Sequence, residues 1–423
     1  MLQDVVQSQK REWEEIRARR YVARTSAPAP VSADLAEVVL GPRRAGKSCY
    51  AAHLAMAQPA PCGYLNFDDE RLMTPAGGVQ PDELLASVDE VYGRPPVLLL
   101  DEIQNLANWE LWVNRLQRAG RRLILTGSNA HLLSSELATH LTGRHFSIPL
   151  LPFSFAEFLV ARERDASGLT AAELAAECRL YAASGGFPEV VLKQLSAIEY
   201  LRTLVGAVVH KDIVLRHGVR APQGLDALAR CLLSQPGGAY SFRALRQATG
   251  CRSVHTMKKY VGYLEQTFLM FTVPRFSYKL REQSAAPKKC YAIDNGLIGA
   301  AGFMSSANHG RLLENLVAIS LYRRQLQGGC ELFYWQDPQK AEVDFLVFRD
   351  REVKSLVQVC ASAADPKTRA REIRGLLHAS KALGCSDLLM LTEGAEDETV
   401  ETWQGYSAKI RWQPVSKWLL EQR

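Results

Sequence analysis

The chain has 423 residues, of which 47% are hydrophobic and 23% are charged, and its formal net charge is +6. A chain of this length and composition can bury large cores, which predicts a globular protein of two or three domains. The basic excess is too small to identify a dedicated nucleic-acid binder.

Two features exclude a membrane or secreted protein. No segment approaches the roughly 18 consecutive apolar residues that a membrane-spanning helix needs, and the stretch 1–20 is too charged for a signal peptide. The 9 cysteines include no CxxC pair and no spacing with histidine that is typical of zinc. We therefore expect a cytoplasmic protein with reduced thiols and no membrane partner.

The first predicted region, residues 1–34, is a helix followed by a linker. Apolar residues, among them Trp13 and Ile16, recur at loose helical spacing between many charged ones, and breaker-rich sequence follows at 26–32. We expect the arginines of this region to lie on a solvated helix face.

Residues 35–150 alternate short apolar runs with helical patterns, which predicts an α/β fold. The runs read AEVVLG, CGYLNFD, VLLLDE and RRLILTGS. Strands that are buried on both faces and joined by crossover helices give this alternation in a parallel sheet.

The first run leads into a phosphate-binding motif. Residues 41–48 match GxxxxGK[ST] between a predicted strand and a predicted helix. In this motif backbone N–H groups and the helix N-terminus hold phosphates, while the lysine neutralises them. A chance glycine-rich turn is the alternative interpretation. The residues expected to contact ATP are Gly41, Arg44, Gly46, Lys47, Ser48 and Cys49, with Ser48 also a ligand of Mg²⁺.

The third run ends in two acidic residues, Asp101 and Glu102. We expect Asp101 to hold Mg²⁺ and Glu102 to orient or deprotonate the attacking water. The alternative is a pair of acids that face solvent at a strand end. Because both motifs occur in order with a strand between them, the sequence predicts ATP hydrolysis as well as binding.

The fourth run ends with the small polar residues Ser128 and Asn129. Three motifs in this order resemble the AAA-type ATPases, and the resemblance implies that one of these two residues acts at the γ-phosphate and the attacking water. It also implies that Arg144 reaches the γ-phosphate bound by a neighbouring subunit, as an arginine does in AAA-type rings. A surface or structural ion-pair role for Arg144 remains the alternative.

After residue 150 the helical pattern dominates, and we expect a helical subdomain at 151–222. Residues 223–290 then read as a helix, a tight turn at Gly250, a second helix and an apolar strand, which predicts a winged helix. The basic face of the second helix could contact DNA phosphates, although a protein-interaction module or a solvated face would look the same. The residues of this face are Arg252, His255, Lys258 and Lys259.

Longer strings support a more specific resemblance that spans about 35–362. They include LTGRHFSIPLLPFSFAEFL, SGGFPEV, YAIDNGL and AEVDFLV. Together they resemble a widespread prokaryotic family of AAA-type ATPases that carry a C-terminal domain of unknown function. The resemblance implies an ATPase core, a winged helix and, at 291–423, a domain similar to the PD-(D/E)xK nucleases.

Nuclease activity itself is not expected. Such enzymes need an acid on a helix, an acid on a strand and an E-x-K on the next strand, because two carboxylates hold Mg²⁺ while the lysine steadies the hydroxide. Glu314 and Asp344 match the two acids. Gln358 and Cys360 stand where the glutamate and lysine belong, and neither supplies the required charge.

A second E-x-K string, Glu352 to Lys354, follows Asp344 closely. The polar residues 349–351 predict a hairpin turn, and this turn would place Gln358 rather than Glu352 opposite Asp344. We therefore interpret the terminal domain as a degenerate nuclease fold.

These predictions combine into one function. We expect Mg²⁺-dependent ATP hydrolysis coupled to the binding or remodelling of duplex or branched DNA, by a homo-oligomeric ring such as a hexamer. The competing hypothesis is a switch or scaffold in which ATP controls assembly with a protein partner and turnover is slow. An ATP-dependent nuclease is a third hypothesis, which Gln358 and Cys360 disfavour.

Overall fold

The parallel sheet expected between residues 35 and 150 is present, so the α/β fold class is confirmed. The chain divides into two units, Met1–Leu151 and Pro152–Arg423. Among the described residues, no helix is long and apolar enough to cross a membrane. The computed structural model describes residues 2–25, 35–72, 79–129, 144–251, 253–301, 309–361 and 365–422.

The first unit has a parallel sheet of order β2-β3-β4-β1-β5. The buried residues of β1 and β3 form uninterrupted runs, as expected for strands covered on both faces. The strands are β1 (Ala36–Leu40), β2 (Cys62–Asn66), β3 (Val97–Asp101), β4 (Arg122–Gly127) and β5 (His145–Pro149). The helices are α1 (Leu2–Ala18), α2 (Lys47–Met56), α3 (Pro81–Tyr92) and α4 (Trp109–Arg118).

Helix α1 covers the edge of this sheet at β2. The Gln9 side chain is buried, and its amide both donates to Asn66 O and accepts from Asn66 N, at 3.0 Å each. Val5 and Val6 join the apolar core on one face of the sheet, while Trp13 and Ile16 join the core on the other. The arginines of α1 are exposed, as predicted, but the helix itself is part of the core of the unit. The prediction is wrong for Arg24, which follows the helix and is buried, with Nη1 donating to Ala45 O at 3.3 Å.

The second unit begins with helices and continues into a small antiparallel sheet of order β6-β8-β7. Its strands are β6 (Ala239–Tyr240), β7 (Met270–Pro274) and β8 (Lys288–Ala292). The helices are α5 (Phe155–Ala161), α6 (Ala171–Ser184), α7 (Pro188–Lys193), α8 (Ala197–Ala207), which continues as a π-helical segment (Val208–Leu215), α9 (Pro222–Leu233), α10 (Phe242–Thr249), α11 (Val254–Gln266), α12 (Leu280–Ala285) and α13 (Asn295–Ala301).

Helices α10 and α11 lie where the sequence predicts two helices and a tight turn. The turn contains Gly250 at φ 68°, a backbone conformation that glycine adopts without strain. Met257 and Val261 on α11 are buried, whereas Val254, which the apolar pattern includes, is 44% exposed. The first residue of this helix therefore faces solvent instead of the core.

The second unit ends in a mixed sheet of order β13-β14-β12-β11-β10-β9. The hairpin turn predicted at 349–351 is present between β10 and β11 but consists of residues 350–351, because Arg349 still pairs with Glu352. Both turn residues have positive φ, as a two-residue hairpin favours. The strands are β9 (Glu331–Gln336), β10 (Glu342–Arg349), β11 (Glu352–Cys360), β12 (Leu388–Thr392), β13 (Asp397–Trp403) and β14 (Tyr406–Pro414). The helices are α14 (His309–Leu326), α15 (Pro366–Leu383) and α16 (Val415–Glu421).

Candidate nucleotide site

The loop between β1 and α2 follows the carboxyl end of a buried strand. A side chain at Gly41 would place Cβ 1.9 Å from Leu150 O, so this position accepts only glycine without a backbone shift. Gly46 has φ 91° and Arg44 has φ 64°, which curls the loop into the start of α2. The Arg44 side chain is exposed. The loop therefore presents backbone N–H groups at the helix N-terminus, where anions are favoured.

The Lys47 side chain turns back over this loop. Its Nζ atom lies 3.1 Å from Pro42 O and 3.2 Å from Glu102 Oε1, and the side chain is 4% exposed. The structure thus brings the lysine of the first motif into contact with an acid of the second.

Asp101 lies at the end of β3 and is buried. Its carboxylate accepts hydrogen bonds from the hydroxyls of Thr126 and Ser48, and Tyr64 Oη is 3.4 Å from it. Carboxylate and hydroxyl oxygens are ligands that Mg²⁺ prefers, so Ser48 and Asp101 could hold this ion beside a bound phosphate.

Glu102 has a backbone φ of 52° and its N–H donates to Thr126 Oγ1 at 2.9 Å. Gln104 Nε2 donates to the Glu102 carboxylate and lies 3.4 Å from Ser128 Oγ. Ser128 also forms a hydrogen bond with Glu102. The acid that we expect to act on water is therefore held by Gln104 in the turn after β3 and by Thr126 and Ser128 at the end of β4.

The two acids differ strongly in proton affinity. Burial and the neighbouring Glu102 charge raise the pKa of Asp101 to about 6, although hydrogen bonds from Thr126 and Ser48 oppose this rise. Burial also favours the neutral form of Glu102, but the charge of Lys47 and a hydrogen bond from Gln104 outweigh it and lower the pKa to about 2. Glu102 is accordingly ionised at neutral pH.

The structure adds residues that the motifs do not name. Thr126 bonds to both Asp101 and Glu102, and Gln104 joins Glu102 to Ser128. Leu100 pairs with Leu125 in the sheet, which places Thr126 beside Asp101. The sequence signal that could identify Thr126 is a hydroxyl side chain one residue before the end of β4.

The remaining residues expected at the ATP site are Cys49, Asn129 and Arg144. Cys49 is in the first turn of α2 and Asn129 follows β4. Arg144 immediately precedes β5, its side chain is exposed and its carbonyl accepts from Ala36 N at 3.1 Å. Arg144 is therefore at the amino ends of the parallel strands, opposite the edge with the P-loop.

The expected DNA-contacting residues on α11 are exposed. His255, Lys258 and Lys259 all face solvent, while Arg252 lies outside the described residues.

Of the residues at the expected nuclease positions, Glu314 lies on α14, and Asp344, Gln358 and Cys360 lie in the terminal sheet. Asp344 N donates to Gln358 Oε1 at 3.0 Å, and Phe345 pairs with Val357, so the predicted pairing of β10 with β11 is confirmed. Cys360 is buried in the apolar core of this sheet. Glu352 pairs with Arg349 beside the hairpin turn, far along the strand from Asp344.

The loop after β1 and the parallel sheet that supports it define a P-loop domain of the AAA class, and a family model described as an AAA domain matches residues 34–159. Two further family models, each described as a domain of unknown function (DUF8612 and DUF4143), match residues 176–308 and 309–409. The chain belongs to the family of Uncharacterized protein MJ1544 of Methanocaldococcus jannaschii. The two are 32% identical over 383 residues, which cover 86% of this chain and 84% of that protein.

A relative from Haemophilus influenzae is 32% identical over 308 residues, which cover 69% of this chain and 75% of that protein. Solved structures with some similarity include Cdc6p from Pyrobaculum aerophilum, with 17% identity, a TM-score of 0.26, and coverage of 67% of this chain and 89% of that one. The Thermotoga maritima RuvB Holliday junction branch migration motor has 19% identity, a TM-score of 0.30, and coverage of 64% and 89%. At these TM-scores neither structure bears on the function of this chain.

Proposed function

We propose that this chain hydrolyses ATP with Mg²⁺ at the loop 41–48 and the end of β3. The proposal is carried by one observation: Lys47 Nζ lies 3.2 Å from Glu102 Oε1, beside the buried Asp101. A lysine at a phosphate-binding loop and two acids at the adjacent strand end are the groups that phosphoryl transfer to water requires.

Each group has a distinct task in this proposal. Lys47 and the backbone of the loop bind the phosphates, and Ser48 with Asp101 holds Mg²⁺, which when bound neutralises phosphate charge. Phosphate oxygens would compete with Glu102 for Lys47. Once Lys47 has turned to the phosphates, the Glu102 carboxylate still accepts from Gln104, and its other oxygen can orient the attacking water.

Substitutions at the two motifs test this division of tasks. Lys47→Ala should abolish binding of a fluorescent ATP analogue, because the phosphates lose their cation. Glu102→Gln should retain binding and lower turnover by at least about 100-fold, since it removes the group that acts on water. The exposed Glu83→Gln serves as the control for loss of a charge. Normal turnover in Glu102→Gln would refute the assigned role.

We further propose that ATP turnover is coupled to DNA through α11 in a winged helix at 223–290. The support is the exposure of His255, Lys258 and Lys259 on one face of a helix whose Met257 and Val261 are buried. Such a face can lie along a duplex and contact phosphates.

The coupling is tested by ATPase rates with and without duplex, branched and single-stranded DNA. We expect stimulation by duplex or branched DNA, and the double variant Lys258→Glu, Lys259→Glu should lose it and reduce the salt dependence of binding. Lys381→Glu, an exposed lysine on α15, is the control. ATPase activity that ignores DNA would instead favour the ATP-controlled switch with a protein partner.

The remaining parts of the proposal concern assembly and the terminal region. We propose that the chain acts in the cytoplasm as a homo-oligomeric ring in which Arg144 completes the site of the next subunit. Residues 151–222 would form a helical subdomain, and residues 291–423 a nuclease-like domain that does not cleave. Gln358 and Cys360 support the lack of cleavage, because neither provides the charge of the missing E-x-K.

A further inference from the structure

Lys289, on β8, lies in a cluster of carboxylates. Its Nζ atom is 2.8 Å from Glu342 Oε1 and 2.9 Å from Asp344 Oδ1. The same atom is 3.3 Å from Glu314 Oε1, and the lysine side chain is 3% exposed. We call these four residues the lysine–carboxylate cluster. It joins a strand of the region 223–290 to acids of the terminal region.

Further groups of the second unit contact the carboxylates of this cluster. Tyr291 Oη donates to Glu314 Oε1 at 2.7 Å, and Val359 N donates to Asp344 Oδ2 at 3.1 Å. Gly237 has φ 74°, and a Cβ there would lie 2.6 Å from Glu314 Oε1. The backbone at Gly237 thus packs directly against the carboxylate, and a larger residue there would have to displace it.

The charge of Lys289 is held by its partners. Burial alone would lower the pKa of Lys289, but the charges of Asp344 and Glu314 outweigh it and raise the pKa well above its ordinary value. A buried ammonium is tolerated only with such compensation.

Two of these acids, Glu314 and Asp344, occupy the positions that would be expected to bind a divalent ion in an active nuclease. Mg²⁺ needs oxygen ligands at about 2.1 Å in a near-octahedral arrangement. The three carboxylate oxygens instead surround Nζ at 2.8, 2.9 and 3.3 Å, which are hydrogen-bond distances. No group of three acid, histidine or cysteine side chains among the described residues is placed to hold a metal ion. A metal ion from solvent could still reach these acids, because Glu314, Glu342 and Asp344 line a cavity of about 820 Å³.

We propose that the acids Glu314, Glu342 and Asp344 form a binding site for an alkylammonium group, and that the Lys289 ammonium of the same chain occupies the position of a metal ion. The cluster fastens the region 223–290 to the terminal region and excludes divalent cations from the acids. This inference goes beyond ATP hydrolysis and does not depend on it.

Amine labelling of the wild-type protein provides the first test. Folded protein is treated with an acylating reagent, and modification is measured by mass spectrometry with and without millimolar Mn²⁺. Lys289 should stay unmodified in both conditions, whereas its neighbour Lys288, which is partly exposed, should react. Reaction of Lys289 that appears only with Mn²⁺ would show that the metal displaces the ammonium, and would overturn the proposal.

The second test replaces the ammonium with an uncharged chain. Lys289→Met should bind Mn²⁺ at least about tenfold more tightly than wild type, because the three acids lose their cation and become able to move into contact with a metal ion. Asp344→Asn added to Lys289→Met should abolish this gain, and the control Lys288→Met should show none. Isothermal titration at a fixed pH measures all four proteins. An unchanged Mn²⁺ affinity in folded Lys289→Met would contradict the proposal.

A third variant covers the case in which Lys289→Met does not fold. The triple variant Lys289→Met, Glu342→Gln, Asp344→Asn removes charges of both signs. It should fold better than Lys289→Met alone, because less uncompensated buried charge remains. If the triple variant is no more stable than the single one, the charges do not hold the two regions together and the proposal fails.

Discussion

At the scale of single residues, Thr126 has a larger role than its position in the strand suggests. Its hydroxyl donates to Asp101 and accepts from Glu102 N, so one side chain fixes both acids. Thr126→Val should therefore reduce ATP turnover by about 10- to 100-fold, since a hydrogen bond to a charged group contributes about 1.5–3 kcal/mol. Steady-state ATPase assays measure the change.

Thr126→Ser is the matched control, because it keeps the hydroxyl and should retain most of the activity. Equal losses in the serine and valine variants would mean that the threonine methyl group, and not its hydroxyl, is what the site needs.

Asp294 gives a pH-dependent prediction. It is buried and accepts from Gly186 N at 2.7 Å and Gly296 N at 2.8 Å. Burial raises its pKa from 3.8 to about 6, despite these bonds. The folded state therefore binds this proton more tightly than the unfolded state. The resulting stability is fully present below the unfolded pKa and is lost as pH rises through about 6.

The variant Asp294→Asn cannot titrate and should lack this loss. Between pH 5 and 7.5, the free energy of unfolding of the wild type should fall by about 1 kcal/mol more than that of the variant. Urea denaturation at both pH values measures the difference. The lost acceptor makes Asp294→Asn less stable at every pH, but that cost is independent of pH. Parallel pH profiles for the two proteins would contradict a raised pKa.

At the scale of elements, α1 acts as a cover for the edge of the first sheet. Trp13 is stacked on Tyr64, with ring centroids 5.6 Å apart, and is 5% exposed. Trp13→Ala should destabilise the unit Met1–Leu151 by about 3–5 kcal/mol, because a large buried ring is lost. Faster hydrogen exchange in β2 would report this effect. The exposed Glu15→Ala should change stability by less than about 0.5 kcal/mol.

The elements differ in how far the sequence predicts them. Runs such as VLLLDE predict β3 because a strand covered on both faces needs apolar residues throughout. The period of α1 is also visible, but its partner is not, since nothing in a helical pattern specifies which sheet edge it covers. Strands β13 and β14 were not predicted, because their polar residues alternate with few apolar ones and their pairing depends on β12.

The residues of the candidate site likewise divide into those that the sequence predicts and those that only the fold brings together. Lys47, Ser48, Asp101 and Glu102 are identified by motifs, because phosphate and metal chemistry restricts the residue types at fixed spacing. The contacts of Thr126 arise only from the register between β3 and β4, which lies outside any local pattern. The role of Lys289 could not be predicted at all. Nothing in the sequence of its strand distinguishes it, and it becomes a buried cation only because acids from distant segments surround it.

At the scale of the whole molecule, the position of Arg144 bears on assembly. The strand β1 separates the carbonyl of Arg144, which bonds to Ala36 N, from the P-loop. Five residues of strand correspond to about 15 Å. Arg144 therefore lies at the opposite end of the strands from its own loop, and this distance supports the proposal that it acts on a second copy of the chain.

This position leads to a complementation test. Arg144→Ala should bind ATP normally and fail to hydrolyse it, whereas Lys47→Ala should fail to bind it. In a ring, a Lys47→Ala subunit can still donate Arg144 to the intact loop of an Arg144→Ala neighbour. Random equal mixing creates such pairs at about a quarter of interfaces, so activity should recover to about a quarter of the wild-type rate. ATPase assays of mixed and separate variants measure the recovery.

The control is Arg118→Ala, an exposed arginine in the last turn of α4. Its neighbour Gln117 donates to the Arg144 carbonyl at 2.9 Å, so Arg118 lies on the same edge of the sheet. Arg118→Ala should hydrolyse ATP at the wild-type rate. An exposed arginine at this end of the sheet that does not reach a neighbouring site contributes little, so its loss should not affect catalysis. If mixing restores no activity and the mass of the protein in ATP is that of a monomer, then the chain works alone and Arg144 serves as a surface residue.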